Sequence, residues 1–421
     1  MGTTLLSLTA LLLSFTVLMI GHGLGNTVLG IRATLEGFPS WVMGLITSGY
    51  FFGLLIGTRI AVKLIQAVGK IRVFAAFASA ASSVTLLNVL FINEVTWVLS
   101  RVVYGVSLAT LFIVIEGWIN AHADPKNRGQ VLSLYMVLNF LGLACGQMLL
   151  FAADPASFEL FAGVSILISI SLVPLTLSQS KEPRLAQSEA FGLGRLYQIS
   201  PLATIGCLCN GLTMGSFWGL SSVYYTTVGL PADHVATILS ISFFGGLLFQ
   251  WPIGYCSDLV DRRFTITVVL FGSSFICLCF VLFIGNQIIG ITPFLMLVAF
   301  LFGGFGYTLY SLYIALANDF LEPHQAVKAS AGLLGFHAIG AIVGPTCASF
   351  MMTLLGGSGL FVFIGSINVA LALFAYKQLL QGRAIPAATH ESFVSMPKTS
   401  PAILELDPRS HDPSGLNHTE D

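Results

Sequence analysis

Ionisable side chains set inside apolar runs are rare in this chain, so each one is a candidate for chemistry. His22 and Asn26 lie four residues apart in Gly21-His22-Gly23-Leu24-Gly25-Asn26 and share a helix face. The glycines between them loosen the helix and allow a ligand or a neighbouring backbone to approach closely. The pair can contact a solute, or can bond between packed helices. Arg101 sits about two turns into its run. It can bind an anionic group or tune a proton carrier, or its stem can snorkel to headgroups. Glu116, near the end of the same run, can take up and release a proton as its surroundings alternate between water and protein. The competing reading makes it a latch to Arg59, Arg72 or Arg128. His337, Asn139 and Gln147 are polar groups suited to a shared pocket or to interhelical hydrogen bonds. Tyr307, Tyr310 and Tyr313 recur every third residue and, with Trp218, offer rings to an apolar or ring-bearing solute, or simply pack. A bilayer makes such groups costly, about 2.5–3.5 kcal/mol for a charge at a helix centre on the insertion scale, and so marks them for scrutiny.

The elements that position these groups follow from composition. The 421 residues are 55% hydrophobic and 9% charged, and mean hydropathy is +0.87. Soluble domains carry about 25% charged residues, so most side chains here must face lipid or one another. A net charge of −1 gives no basic field for nucleic acid. The seven cysteines lie in apolar runs without metal-ligand spacing and read as small packing residues. No phosphate-binding loop, nucleophile elbow or cofactor motif is present, which argues against an enzyme and against ATP-driven transport by this chain alone.

A membrane helix needs about 20 mainly apolar residues. Twelve runs qualify: 4–29, 42–62, 73–92, 95–119, 131–152, 158–177, 201–223, 235–255, 264–284, 288–316, 329–354 and 360–376. The first has no Lys or Arg before Arg32 and reads as a retained span rather than a signal peptide. Loops on one side carry basic residues throughout, from Arg59 and Lys63 to Lys328 and Lys377, whereas the other side keeps Arg32 alone. The positive-inside rule then places both termini in the cytoplasm.

The halves repeat. A shift of 193 to 198 positions lays Gly53-Leu54-Leu55 on Gly246-Leu247-Leu248, Gly21/Gly25 on Gly215/Gly219, and Asn120 on Asn318. It also lays Asp124-Pro125 on Glu322-Pro323, Gly142/Gly146 on Gly340/Gly344, and Asn139 opposite His337. The expected organisation is a six-helix bundle over 1–177, a linker over 178–200, a second bundle over 201–377 and a disordered, solvated tail over 378–421.

A charge knot, Gly254-x-x-Ser257-Asp258-x-x-Asp261-Arg262-Arg263, follows the second span of the second half, with a degraded copy at Gly69, Lys70 and Arg72 in the first. With twelve spans in two halves, it resembles motif A of the major facilitator superfamily. Arg101-x-x-x-Gly105-x-x-x-Ala109 resembles motif B, common in proton-coupled members. The drug-exporter Gly-x-x-x-Gly-Pro is absent from the fifth span, where Gly142-x-x-x-Gly146-Gln147 stands, and appears in the eleventh at Gly340-x-x-x-Gly344-Pro345. Leu29-Gly30-Ile31-Arg32-Ala33, Ser48-Gly49-Tyr50-Phe51 and Ile115-Glu116-Gly117-Trp118-Ile119-Asn120 resemble the YcaD-like branch of bacterial facilitators, whose cargo is ill-defined.

The resemblance implies an all-α membrane protein with the major facilitator fold: twelve transmembrane helices in two pseudo-symmetric six-helix bundles. It implies a monomer in the bacterial inner membrane whose first, fourth, seventh and tenth helices line the cavity. His22, Asn26, Arg101, Asn139, Gln147, Trp218, Tyr307, Tyr310 and His337 are then the cavity candidates, and Glu116, Arg101 and His22 the proton-coupling candidates. Gly69, Lys70, Arg72, Asp258, Asp261, Arg262 and Arg263 are candidates for the cytoplasmic gate. The expected function is secondary active transport of a small solute by alternating access, with proton coupling. A drug or metabolite exporter, or a non-transporting sensor, is the alternative. No cofactor, metal or nucleic acid is called for.

Overall fold

The structure is a computed structural model describing residues 2–123, 127–176, 191–284, 293–322, 325–381 and 392–408. Among them the chain is helical, with no strand. The first half holds α1 (Gly2–Leu35), α2 (Ser40–Val68), α3 (Lys70–Leu90), α4 (Glu94–His122), α5 (Arg128–Met148), α6 (Glu159–Ile170) and the short α7 (Leu172–Thr176). After a seven-residue helix, α8 (Leu193–Ile199), the second half holds α9 (Pro201–Thr227), α10 (Ala232–Leu259), α11 (Arg262–Cys279), α12 (Pro293–Asn318), α13 (Ala326–Leu355) and α14 (Gly359–Gln381). Among the described residues, ten helices are long and apolar enough to cross a membrane. The other two expected spans fold as the broken pair α6–α7 and as α9, which is long but carries Thr204, Asn210, Thr213 and Ser216 along its length. Linker residues 178–190, the Asp124-Pro125 and Pro323 positions of the repeat, and tail residues 382–391 and 409–421 lie outside the described residues.

Helix ends follow local chemistry. The Asn93 side chain accepts from Thr96 N at 2.9 Å to start α4, and the Asp261 carboxylate accepts from Arg263 N at 2.9 Å to start α11. Ser200 caps α9, with Pro201 at its first turn. Gly69 turns α2 into α3 at φ 88°, a left-handed conformation open to glycine.

In lipid, helices associate through close packing of small residues rather than through a hydrophobic drive. The repeat is visible in that packing. Gly142 and Gly146 of α5 seat against the α1 backbone near Thr16 and Ile20, while Gly340 and Gly344 of α13 seat against the α9 backbone near Leu208 and Leu212. These are the same two glycines of the repeat on the same pair of helices in each half. Gly53 and Gly105 lock α2 to α4, and Gly245 and Gly303 lock α10 to α12 in the same way.

Between the halves the contacts are uneven. At the end away from the chain termini, Gly44 faces Ser349, Gly219 faces Thr47 and Gly30 faces Ser222. There Ser48 Oγ and Thr346 Oγ1 share a hydrogen bond of 2.8 Å, and Ser240 Oγ donates to Ala144 O at 3.0 Å. This far end is sealed. At the end that carries the termini, the wall between the halves is supplied by residues 392–408.

Candidate functional site: a polar cleft and the segment that fills it

Just inside the sealed end, α1, α2, α4 and α9 converge on His22, which is buried. Its Nδ1 lies 3.3 Å from Tyr104 Oη and its Nε2 lies 3.2 Å from Tyr50 Oη. Trp218 faces the imidazole at 5.2 Å between centroids, and Asn26 Nδ2 donates to Trp218 O at 2.6 Å. Arg101, 6% exposed, sits with its guanidinium carbon 5.2 Å from the Tyr104 ring centroid and donates to Gly25 O at a long 3.4 Å. No carboxylate pairs with it among the described residues. It lines two small voids, one with Thr85 and Asn88, the other with Asn26, Thr47 and Tyr50. A buried guanidinium so placed keeps donors for an anionic group. Four sequence candidates, His22, Asn26, Arg101 and Trp218, thus meet in one cluster. Tyr50 and Tyr104 were missed, although Tyr104 lies one helical turn after Arg101.

Gln147 sits deeper in the first bundle, its Nε2 donating to Gly23 O at 3.0 Å and tying α5 to α1. Asn139 is half-buried and forms no side-chain hydrogen bond among the described residues. It does not join His337.

His337 instead belongs to a second cluster in the other half. Its ring stands 5.2 Å from that of Tyr310, and its Nδ1 has no hydrogen-bond partner among the described residues. Tyr307 lies beside Phe140 and Phe243, bridging the halves. The Tyr307, Tyr310 and Tyr313 hydroxyls are likewise buried without partners among the described residues. Into this cluster comes Lys398. Its Nζ donates to Asn210 Oδ1 at 2.9 Å and stands 5.2 and 5.9 Å from the Tyr310 and Tyr307 centroids. Burial brings the Lys398 ammonium down to about 7 from its ordinary 10.5.

Glu116, fully buried, is not latched to Arg59, Arg72 or Arg128. The Tyr135 hydroxyl donates to its Oε1 at 2.5 Å and the Ser400 hydroxyl to its Oε2. The latch fails because Arg59 and Arg72 point to the exterior and Arg128 donates to Glu405 O at 3.2 Å.

Residues 378–421 therefore do not form a disordered tail throughout. From 392 to 408 the chain crosses from the second bundle to the first. Phe393 N donates to the Asp258 carboxylate at 3.0 Å, and its ring lies on Gly254. Ser395 Oγ donates to Gln250 Oε1, and Met396 N to Ser311 Oγ. Past Lys398, Thr399 Oγ1 shares a hydrogen bond with Tyr135 Oη, and Asn120 Nδ2 donates to Ala402 O at 2.6 Å. A 3-10 turn over Pro401–Leu406 buries Ile403, Leu404 and Leu406 completely. Burial holds the Glu405 carboxyl above its ordinary value, opposed by Arg128 and Lys70. The physical reason for the order is pairing. Polar groups of the segment meet polar groups of the cleft, and its apolar side chains fill what remains.

The charge knot is built within the second bundle. Arg262 bonds Asp319 at 2.7 Å, both side chains fully buried, and Asp258 at 2.9 Å. Arg263 bonds Asp261 at 2.6 Å and donates to Gln378 O at 3.2 Å. Asp319 at the end of α12 was not singled out from sequence. In the first half Gly69 is the turn, Lys70 is buried near Glu405, and Arg72 is exposed.

Two packed helical bundles enclosing a polar cleft, sealed at one end, define a polytopic membrane protein of the solute-carrier kind. The model of the Major Facilitator Superfamily matches residues 2–204 and again 203–403, and the chain belongs to that superfamily, whose members are transport proteins rather than enzymes. It is similar to an uncharacterized MFS-type transporter of Enterobacter sp. (strain 638), 28% identical over 85% of this chain and 92% of that one. It is similar also to the uncharacterized MFS-type transporter YcaD of Escherichia fergusonii, 29% identical with the same coverage. Among solved structures, the nucleoside transporter NupG superposes with a TM-score of 0.70 at 14% identity, over 91% of this chain and 100% of that one. A bacterial homolog of the human lysosomal transporter Spinster, inward-facing and occupied, superposes with a TM-score of 0.69 at 14% identity, over 90% and 98%. These likenesses show the fold.

Proposed function

We propose that the chain is a proton-coupled secondary transporter that moves a small solute by rocking its two bundles about the cleft, with the sealed far end facing outward. The carrying observation is Glu116. It is a completely buried carboxyl between α5 of its own bundle and residues 392–408, held by hydroxyls of Tyr135 and Ser400 and, among the described residues, by no cation. A carboxyl held by neutral donors can change protonation state without breaking an ion pair, which is what a carrier of the coupled proton requires. Arg101 and His22 supply the solute-facing polar groups at the other end of the cleft. The basic bias of the loops supports cytoplasmic termini and an inner-membrane location, and the self-contained pair of bundles is consistent with a monomer.

The test is solute flux in sealed vesicles with the proton gradient clamped. Glu116→Gln is expected to abolish gradient-driven accumulation while leaving exchange of solute across the membrane. Accumulation by Glu116→Gln equal to that of the parent overturns the assignment. A second reading has its own observation. A segment that never leaves the cleft would make the chain a non-transporting membrane protein, and absence of any flux from vesicles holding the full chain, with flux appearing in the chain that ends at residue 391, would favour it.

A further inference from the structure

Residues 392–408 read as a ligand more than as a tail. They run between the bundles and end in the 3-10 turn, and they bond side chains of α4, α5, α9, α10 and α12. The charged side chain they send into the second bundle is that of Lys398. Its surroundings have the make-up of an amine site: a carbonyl oxygen from Asn210 accepts from Nζ, and two tyrosine rings face it. All of these residues belong to helices of the second bundle, so the site exists without the segment.

The segment satisfies this site incompletely. The Tyr307 and Tyr310 hydroxyls and His337 Nδ1 stay buried without a hydrogen-bond partner among the described residues, and a buried polar group left unpaired counts against the docked state. A lysine side chain has one polar group to offer, at its tip. A solute with an amine and a further hydrogen-bonding group would answer Asn210 and one or more of these atoms, and would compete with the lysine tip for the same space.

We propose that the pocket of Asn210, Tyr307, Tyr310 and His337 is a binding site for a primary amine, and that residues 392–408 are a tethered competitor whose Lys398 holds it until an amine-bearing solute displaces the segment. The proposal rests on the transport reading for what happens next, since displacement frees Glu116 from Ser400 and opens the cleft. The pocket itself does not depend on that reading. The segment's other anchors fit the same role. Asp258, in the charge knot, receives Phe393 N, and Gly254 leaves room for the Phe393 ring, so the knot serves as the dock where the competitor is held.

The experiment uses purified full-length protein, its Lys398→Gln variant and a chain ending at residue 391. Each is titrated with cadaverine (1,5-diaminopentane), and with adipate as a dianion of similar length. A competitor docked nine-tenths of the time lowers apparent affinity about tenfold. Cadaverine is therefore expected to bind Lys398→Gln and the shortened chain at least about tenfold more tightly than the parent, with adipate binding none of them. Asn210→Leu in the shortened chain is expected to remove cadaverine binding while the thermal unfolding temperature stays near that of the shortened chain. Equal cadaverine affinity in all three proteins, adipate binding as tight as cadaverine, or no amine binding to any of them overturns the proposal. Vesicle flux separates the two readings. Cadaverine that binds competitively but does not cross the membrane leaves the pocket standing and counts against transport. Flux of another solute unaffected by Lys398→Gln leaves transport standing and counts against the competitor.

Discussion

Asp319→Asn tests the reasoning about buried charge directly. Arg262 and Asp319 are both fully buried and 2.7 Å apart, joining the start of α11 to the end of α12. Stripping one partner from a buried ion pair costs about 3–5 kcal/mol when the remaining charge has no other partner. Here Arg262 keeps Asp258 at 2.9 Å and the Ser257 hydroxyl at 3.0 Å, so the loss is smaller, about 2 kcal/mol. Asp258 is 30% exposed on its side chain, and Asp258→Asn leaves the buried Arg262–Asp319 pair intact. Its cost is about 1 kcal/mol or less. The assay is thermal unfolding of the purified proteins in one detergent at one heating rate. Asp319→Asn is expected to fall by several degrees and Asp258→Asn by distinctly less. The double change Arg262→Met with Asp319→Leu is expected to recover much of the loss, because no charge is then left buried alone. Asp258→Asn falling as far as Asp319→Asn, or the double change falling further than either, would refute the argument.

Other consequences are separate. Gly219 faces Thr47 across the sealed end, so Gly219→Leu is expected to force that seam apart. It should raise thiol labelling of a cysteine placed at Ser48, whereas Gly163→Leu, at a position with open space, should not. Gly146→Leu and Gly344→Leu occupy matching places in the two halves and are expected to destabilise by comparable amounts, about 1–3 kcal/mol or more from overpacking, read as matching falls in unfolding temperature. Docking of the Lys398 segment should depend on pH. The docked ammonium titrates at about 7 and the free one near 10.5. Docking is therefore weakest and flat below about pH 7, and strengthens by up to about tenfold per unit between 7 and 10.5, because in that window docking releases the proton that the undocked amine still holds. The facing groups are Cys207, His337, Tyr307 and Tyr310. Protease cleavage of the segment, followed against pH in the parent and in Lys398→Gln, should fall with rising pH in the parent alone.

Much of the fold was legible because a bilayer allows few solutions. Apolar runs of spanning length, a basic bias on one side and a displaced copy of the same glycines led to two bundles, and the glycines at 142/146 and 340/344 do perform the same packing task. Span six is less regular, and span seven more polar, than an unbroken apolar run. Ser171 interrupts one, and the polar face of α9, from Thr204 to Ser216, turns inward. The site was half legible. His22, Asn26, Arg101 and Trp218 stood out because polar groups are conspicuous in apolar runs. Tyr50 and Tyr104 did not, since an amphipathic ring is unremarkable there. Glu116 was noticed but its partners were not, because they come from Tyr135 on another helix and from Ser400, 284 positions away. The tail misled for a related reason. Its polar composition is that of a solvated chain, yet the cleft it enters is polar too. The signal was there in Phe393, Met396 and the Ile403-Leu404-x-Leu406 cluster, apolar residues that a purely solvated segment has no use for.

The most direct test of the account is the distance between spin labels at Trp41 on α2 and Leu355 on α13, both exposed at the sealed end. It is measured in membranes for the parent chain and for the chain ending at residue 391, each at high and low pH. Alternating access predicts a mainly short distance for the parent, least so at low pH where docking is weakest, and, once the segment is gone, a larger share of a second, longer population that changes with pH. A single short distance under every condition would contradict it.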